Sequence, residues 1–497
     1  MGGSSGSPGL SGSAGAIASG GTGGSGGSAG GGGQPTMDAG PPAPPSAYIT
    51  TDDLSQALAS ATLNMGAASK ADATVTLDPN TTFQIMNGFG ASITDSSSYV
   101  MTKYLSADAL QQAMVKLFDP NEGAGLNFLR QPMGASDFSS VGNFSYDDNA
   151  GNADPTLANF NITQDLKATI PLLKQSLAIN PSIFILATEW SPPAWMKNNH
   201  SMNGSGSGGG NPGLNQADYE TLAQYFVKFV QAYAAQGITV NAVTPQNEPQ
   251  NGAAAYPGMD LNAPSELQLI AQNMGPAFKS AHLSTLLWAF DHNWDNEDYP
   301  EQIMADATAA SFTEGAAFHC YGGDPSAMTT FHDKFPMKSI YMTECSGGDW
   351  QDDPFANTIE LEINSTANWA QAISLWNLAL DENDGPKNNG CSGCRGVITV
   401  NSKTSDVTYT VDYYALAHFS KFVRPGALRI SSQSSNGALN QVAFKNKDGR
   451  LVVIGHNTGR NTLIVQIGSG AAAMNVSVPA NAAMTVAWTP AATATTP

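Results

Sequence analysis

From about residue 87 onward the chain alternates short, contiguous apolar runs with longer stretches whose apolar positions recur at helical spacing. The runs are Gly88–Ile93, Leu126–Pro132, Ile183–Thr188, Val240–Pro245, Leu286–Phe290, Ala317–Tyr321, Ser339–Met342 and Ala372–Trp376. Runs of this kind separated by helical patterns read as parallel strands, and eight of them match the strand count of a (β/α)8 barrel. The clearest helix is Tyr219–Gln236. Leu222, Tyr225, Phe226, Phe229, Val230 and Tyr233 form its apolar stripe, Asp218 stands at the N-cap and Gly237 at the stop.

After about residue 407 the texture changes. Val407–Val411, Gln441–Phe444, Leu451–Ile454, Thr462–Ile467, Asn475–Val478 and Met484–Trp488 are short β-type runs separated by Gly, Asn and Asp turns. They predict an antiparallel sheet, interrupted by one helix, Tyr413–Phe422, that completes the barrel. Ala73–Leu77 alternates similarly and is expected to add a strand to the same sheet. The expected fold class is therefore α/β, a (β/α)8 barrel with an attached antiparallel β-sandwich built from N- and C-terminal segments. The corresponding boundaries are a tether at 1–45, an N-terminal sandwich segment at 46–86, the barrel at 87–424 and the C-terminal sandwich at 425–497.

Composition changes the picture at the N-terminus. Residues 1–37 carry no charged side chain and are mostly Gly, Ser and Ala, and residues 41–45 read Pro-Pro-Ala-Pro-Pro. Such a stretch cannot bury enough apolar surface to fold and reads as a flexible tether with a stiffer end. Gly23–Gly27 fits a serine-hydrolase elbow and Gly21–Gly26 a dinucleotide fingerprint, but neither has a strand before it or a helix after it. Both are rejected. The start lacks the basic residue and apolar stretch of a signal peptide. The expectation is a secreted or cell-surface protein whose export segment is absent from this chain, with the tether as its link to the surface. A monomer is favoured.

Charge and cysteines narrow the function classes. Forty-one acidic against 21 basic residues give a net charge of −20, which disfavours nucleic acid and anionic membranes and is compatible with a neutral carbohydrate. No apolar run reaches the roughly 18 residues of a membrane span. Cys391-Ser-Gly-Cys394 lies in a Gly/Asn-rich loop without the following helix of a redox site, so a loop-stapling disulfide is expected there. The seven histidines show no His-Glu-x-x-His spacing, and no metal or other cofactor is implied.

Chemistry is carried by two glutamates at the ends of strand runs: Glu248 in Val-Thr-Pro-Gln-Asn-Glu-Pro, after the fourth run, and Glu344 in Ile-Tyr-Met-Thr-Glu-Cys, after the seventh. Barrel active sites gather at the carboxyl ends of strands, and two carboxyls held there are the minimum equipment for cleaving a glycosidic bond. Arg130, at the end of the second run, either belongs to the site, where its cation would orient a catalytic carboxylate and keep it ionised, or forms a structural ion pair. His319 and Tyr321 follow the sixth run, as site lining, with a satisfied buried His as the alternative. Trp190, Trp195, Trp288, Trp294, Trp350 and Trp376 lie at or just beyond strand ends, a collection that suits a sugar cleft, with some left for core packing.

Six segments together resemble the glycoside hydrolase family 30 enzymes: Asn87–Asp95, Leu129–Ser139, Glu189–Lys197, Gln246–Pro249, Thr343–Cys345 and Phe422–Gly426. The resemblance implies retaining hydrolysis of β-glucosides by double displacement, with Glu248 as acid/base and Glu344 as nucleophile. It also implies that Asn247 binds the sugar 2-hydroxyl and that Asp137, Trp190 and Trp376 line the sugar subsite. Asp95 is read as a sugar contact or a cap, and Glu189 as a structural carboxylate. Cys320 and Cys345 follow site residues on adjacent strands, as a disulfide bracing the site floor or as two thiols. The Gly-rich insert Asn203–Gly213 either borders the cleft or is a surface loop.

Within the family, Asn247–Gly258 and the Thr-Glu-Cys context resemble the endo-β-1,6-glucanase and bacterial glucosylceramidase-like members more than the xylanases, and endo-β-1,6-glucanase is the first choice. The alternatives are glucosylceramidase-like, other β-glucosidase or xylanase activity and, outside the class, a non-catalytic surface carbohydrate-binding protein.

Overall fold

The computed structural model describes residues 44–206 and 213–490. The tether up to residue 43, with its two rejected motifs, and most of the Gly-rich insert lie outside the described residues. Eight parallel strands close into a barrel: β1 (Gly88–Ser92), β2 (Phe128–Met133), β3 (Phe184–Glu189), β4 (Ala242–Thr244), β5 (Leu286–Asn293), β6 (Thr313–His319), β7 (Ser339–Glu344) and β8 (Ala372–Leu375), with β8 pairing back onto β1. Each of the eight expected runs overlaps one of these strands.

The strands are buried on both faces because helices cover the outside and side chains fill the inside. The helix Tyr219–Ala235 buries the predicted stripe and ends at Gly237, whose φ of +78° lets its N–H reach the Ala234 carbonyl. Asp218 does not cap it as expected. A 3-10 turn, Gln216–Asp218, precedes the helix, and the Asp218 carboxylate accepts instead from Asn215 Nδ2 at 3.2 Å. Where β1 meets β2 the strands press together: a Cβ on Gly90 would stand 1.8 Å from the Phe128 carbonyl oxygen.

Phe128, Leu186, Ala242, Trp288, Tyr341 and Ala372 fill the floor of the barrel. Trp288 stacks on Tyr341 there at 3.5 Å, so it belongs to the core and not to the strand-end cleft. Trp195 and Trp294 are likewise buried in the main core.

The second layer is a ten-stranded sheet. Its order is Ala59–Ala61, Ser46–Thr51, Ala482–Trp488, Leu451–Asn457, Leu439–Lys445, Leu428–Ser434, Ala73–Ile85, Leu463–Ile467, Met474–Val478 and Asn64–Met65. Ile49, Val453 and Val486 from one half share a single core with Val75, Val465 and Val476 from the other, so the sheet folds over on itself as a sandwich. One pairing, Ala73–Ile85 with Leu463–Ile467, is parallel in a sheet expected to be wholly antiparallel. Val407–Tyr409, read as the first strand of this sheet, belongs to a small three-stranded sheet with Ala379–Asp381 and Ile398–Val400. Helix Val411–Ser420 then joins the layers: His418 bonds Thr485 at 2.7 Å and Thr50 at 2.8 Å, both on the sandwich.

Candidate active site

Glu344 is the last residue of β7, and Glu248 follows β4 in a turn that anchors the chain to both neighbouring strands. Asn247 N–H donates to the Glu189 carbonyl at 2.6 Å, on the β3 side, and Glu248 N–H to the Asp291 carbonyl at 3.0 Å, on the β5 side. Glu248 itself has φ of +45°, a conformation costly for a non-glycine residue and held here by that bond. The turn thereby aims the Glu248 carboxyl inward.

Beneath the two carboxyls lies a buried charge network. The Arg130 guanidinium donates to Glu344 Oε2 at 2.5 Å, Asn247 Oδ1 at 2.6 Å and Asp291 Oδ2 at 2.8 Å. Asp291 also accepts from Thr244 and Thr343, which fixes its orientation. His319 meets Glu248 Oε1 through Nδ1 and Asp291 Oδ1 through Nε2, both at 3.0 Å. With Glu248 and Asp291 ionised, two acceptors on one imidazole call for a proton on each nitrogen, which makes His319 a cation. Burial opposes that charge, but the negative charges of Glu344 and Asp291 outweigh it and push the His319 pKa up to about 9.

The carboxyls respond in opposite directions. Burial works to raise Glu248, but the hydrogen bond and charge of His319 hold it down at about 2. Burial raises Glu344, and the repulsion of Glu248 and Asp291 helps to keep it above the usual range despite His319 and Arg130. One oxygen of each glutamate and a nitrogen of His319 lie within 4.8 Å of one another. That is close to the roughly 5 to 5.5 Å between carboxyls of retaining glycosidases and short of the roughly 6.5 Å or more of inverting ones. The same three residues form, among the described residues, the group compact enough to hold a metal ion. Their atoms are already engaged by Arg130, Asn251, Asp291 and Tyr321.

A cleft of about 490 Å³ opens above. Asp137, Trp190, Asn247, Tyr321 and Trp376 line it with the two glutamates, whereas Arg130 and His319 are fully buried below and do not line the cleft: Arg130 grips the Glu344 carboxylate as expected, and His319 is the satisfied buried residue of its two readings. Trp190 and Trp376 stack at 5.0 Å with the Arg130 guanidinium 4.7 Å from the Trp190 ring. Tyr321 donates to Glu344 Oε1 at 2.9 Å. Asp137 is half-buried with Oδ1 shut from solvent and unpartnered, and desolvation together with Glu344 and Glu248 raises its pKa well above the usual range. Its carbonyl accepts from Asn388 and Gly390 N–H.

Asparagines fence this end of the cleft. Asn388 donates to Asn143, Asn143 to Asn203 and Asn203 to the Ala254 carbonyl, and Asn389 donates to that of Ala255. The described start of the Gly-rich insert therefore borders the rim. Asp95 lies outside the cleft lining, where its carboxylate accepts from Ser140 and Gln164 while Thr94 caps the helix. Glu189 is buried with neither oxygen partnered, and burial raises its pKa well above the usual range. Both cysteine pairs, Cys320–Cys345 and Cys391–Cys394, are disulfides.

Asp291, Tyr256, His292 and Asn293 were not singled out from the sequence. Asp291 directly continues the apolar run Leu286–Phe290, and a carboxylate in that position is the signal that marks it.

Residues 86–423 match the glycosyl hydrolase family 30 TIM-barrel domain and residues 426–486 the family's beta sandwich domain. An endo-1,6-β-D-glucanase of Trichoderma harzianum is 36% identical over 80% of this chain and 83% of its own. The lysosomal acid glucosylceramidase of Mus musculus is 30% identical over 76% of each. A solved endo-β-1,6-glucanase superposes with a TM-score of 0.83 at 30% identity, covering 90% of this chain and 100% of that one. With its barrel and sandwich both matched and its two glutamates closing on one cleft, this chain belongs to glycoside hydrolase family 30.

Proposed function

We propose that this retaining glycoside hydrolase is an endo-β-1,6-glucanase. Glu344 attacks the anomeric carbon while Glu248 protonates the departing oxygen; water then releases the sugar from Glu344 with Glu248 as base. The observation that carries the roles is the asymmetric grip of Arg130. It binds Glu344 and orients Asn247 but leaves Glu248 to His319. Arg130 and Tyr321 hold one oxygen each of the nucleophile. In the resting site the mobile proton sits on His319, and transfer along its 3.0 Å bond gives the neutral acid form of Glu248 that the first step needs.

Asn247 would meet the 2-hydroxyl, Asp137 a further glycone hydroxyl, and Trp190 and Trp376 the ring. The β-1,6-glucan linkage is supported by the similarity to glucanases at 36% identity, and the glucosylceramidase at 30% supports the second reading. Two disulfides suit an oxidising, extracellular location, with the N-terminal segment as a surface tether. No described helix is long and apolar enough to cross a membrane.

Glu344→Ala should lose about 10⁴-fold or more in kcat with unchanged thermal unfolding. Azide should restore turnover on an activated β-glucoside and give the α-glucosyl azide. The wild type should degrade β-1,6-glucan in preference to β-1,3-glucan and xylan. Azide rescue failing in Glu344→Ala would overturn the roles, and preferential xylan cleavage would overturn the linkage.

A further inference from the structure

One residue of β5 serves both catalytic glutamates. The Asp291 carbonyl accepts from Glu248 N–H at 3.0 Å, and its carboxylate holds Arg130 at 2.8 Å and His319 at 3.0 Å, of which the first grips Glu344 and the second meets Glu248. That carboxylate reaches the barrel interior only through a bulge. Trp288 fills the barrel floor, so strict alternation along β5 would turn Phe290 inward and Asp291 out toward the helices. The strand does the reverse: the Phe290 ring packs outside, 5.0 Å from that of Tyr299 and 5.7 Å from that of Phe318.

Phe290 pairs with Ala317 and His292 with Phe318, which leaves Asp291 as the extra residue, and Phe290 and Asp291 have φ of +79° and +73°. Two consecutive non-glycine residues in the left-handed region persist only where their surroundings hold them there.

We infer that Glu266, on the helix Ala263–Gln268 outside the barrel, is the positioning residue that holds this bulge, and that it does so as a neutral carboxylic acid. The inference rests on the roles given to Glu248 and Glu344 and is independent of the sugar linkage. Glu266 is fully buried, and its Oε1 accepts from Phe290 N–H at 2.9 Å. Its Oε2 lies 2.8 Å from the Tyr299 hydroxyl, which in turn lies 2.9 Å from the Leu261 carbonyl. A carbonyl can only accept, so the single hydroxyl proton of Tyr299 goes to Leu261. Glu266 Oε2 must then carry a proton of its own and donate it to the Tyr299 oxygen.

Burial, with the charge of Asp291 behind it, pushes the Glu266 pKa up to about 8, in keeping with that assignment. The proton spares the bulge a second negative charge beside Asp291. Contacts thus run inward from the helices to the chemistry: Leu261 and Tyr299 fix the acid, the acid fixes the Phe290 peptide, and the bulge it holds turns Asp291 toward Arg130, His319 and Glu248.

The test compares three variants at position 266 on an aryl β-glucoside. Glu266→Gln keeps an acceptor for Phe290 N–H and a donor for Tyr299, and its kcat should stay within about twofold of the wild type. Glu266→Met fills similar space without either bond. It should lower kcat about 10²-fold with KM within about twofold, the effect of displacing reacting groups by about 1 Å. Asp291 then no longer supports the charge of His319, whose pKa of about 9 sets the alkaline limb of kcat. That limb should move to lower pH by about one unit relative to Glu266→Gln, which likewise cannot titrate at this position; lost packing alone would leave it in place. Glu266→Asp draws the carboxyl back by one methylene, should fall between the other two in kcat, and carries the test where Glu266→Met fails to fold.

A wild-type kcat in Glu266→Met, or in Glu266→Asp where the Met variant does not fold, would overturn the inference. So would an unmoved alkaline limb, or a Gln variant as slow as the Met variant. Failed azide rescue of Glu344→Ala alongside the expected Glu266 losses would overturn the catalytic roles and leave the hold of Glu266 on Asp291 standing. A wild type inert on every β-glucoside would overturn both.

Discussion

His319 holds its charge only because three carboxylates surround it, and that ties stability to pH. Its folded pKa of about 9 lies above the ordinary 6.5, so the stabilisation is complete below about pH 6.5 and is lost as the pH rises toward 9. The shift corresponds to about 3 kcal/mol. Lys197, pushed down to about 7 by burial against the pull of Glu189, titrates with the opposite sign over part of the same range. The His319 effect is therefore read as a difference: the wild-type advantage over His319→Gln in urea unfolding should shrink steadily from pH 6.5 to 9. A constant difference would mean that His319 is neutral in the fold. At this scale Glu248 and Glu344 were legible because a carboxylate ending an apolar strand is conspicuous. Asp291 was not, and neither was the depth at which Arg130 and His319 lie, since a linear sequence places a residue at a strand end without saying whether it faces the cleft or the layer below.

The eight strand runs were legible as elements because each is short, apolar and set between helical periods. Leu428–Ser434 was missed: Arg429 and four consecutive Ser and Gln residues hide its alternation. Loops were the least legible, because their structure comes from partners far away in the chain. The segment that brings Tyr256 to the cleft is one example. Gly204 N–H donates to the Ala253 carbonyl and Gly258 N–H to that of Met202, and Lys197 Nζ, buried beneath, donates its three N–H groups to the carbonyls of Met202, Asn203 and Gly258. One ammonium therefore fastens the loops after β3 and β4 together. Lys197→Met should leave the Gly258 carbonyl unpaired, while those of Met202 and Asn203 keep Gly258 N–H and Asn199 Nδ2, and should cost about 2 kcal/mol in denaturant unfolding. It should also raise KM and increase amide exchange across 251–258 while leaving the sandwich strands protected.

The barrel and the sandwich share buried polar contacts, so they should unfold together. His418 is one such contact. Burial, reinforced by the charge of nearby His456, pushes its pKa down to about 3, so it stays neutral between Thr50 and Thr485. Between pH 6.5 and 3 the unfolded chain binds this proton and the native state does not, so stability falls with acidification by up to about 5 kcal/mol. His418→Gln should flatten that acid limb, and both layers should still melt in a single transition by circular dichroism. The sandwich itself is fastened by the pairing of Ser46–Thr51 with Ala482–Trp488. The side chain of Ser46 reaches the backbone of Ala487 across 441 positions of sequence. During synthesis at roughly 5 to 20 residues per second, the first strand waits about 20 to 90 s for its partner. Through that interval an unpaired strand edge stands open on a nascent barrel, a window in which holding chaperones, or transport of the chain before its last strand is made, would govern the yield of folded protein.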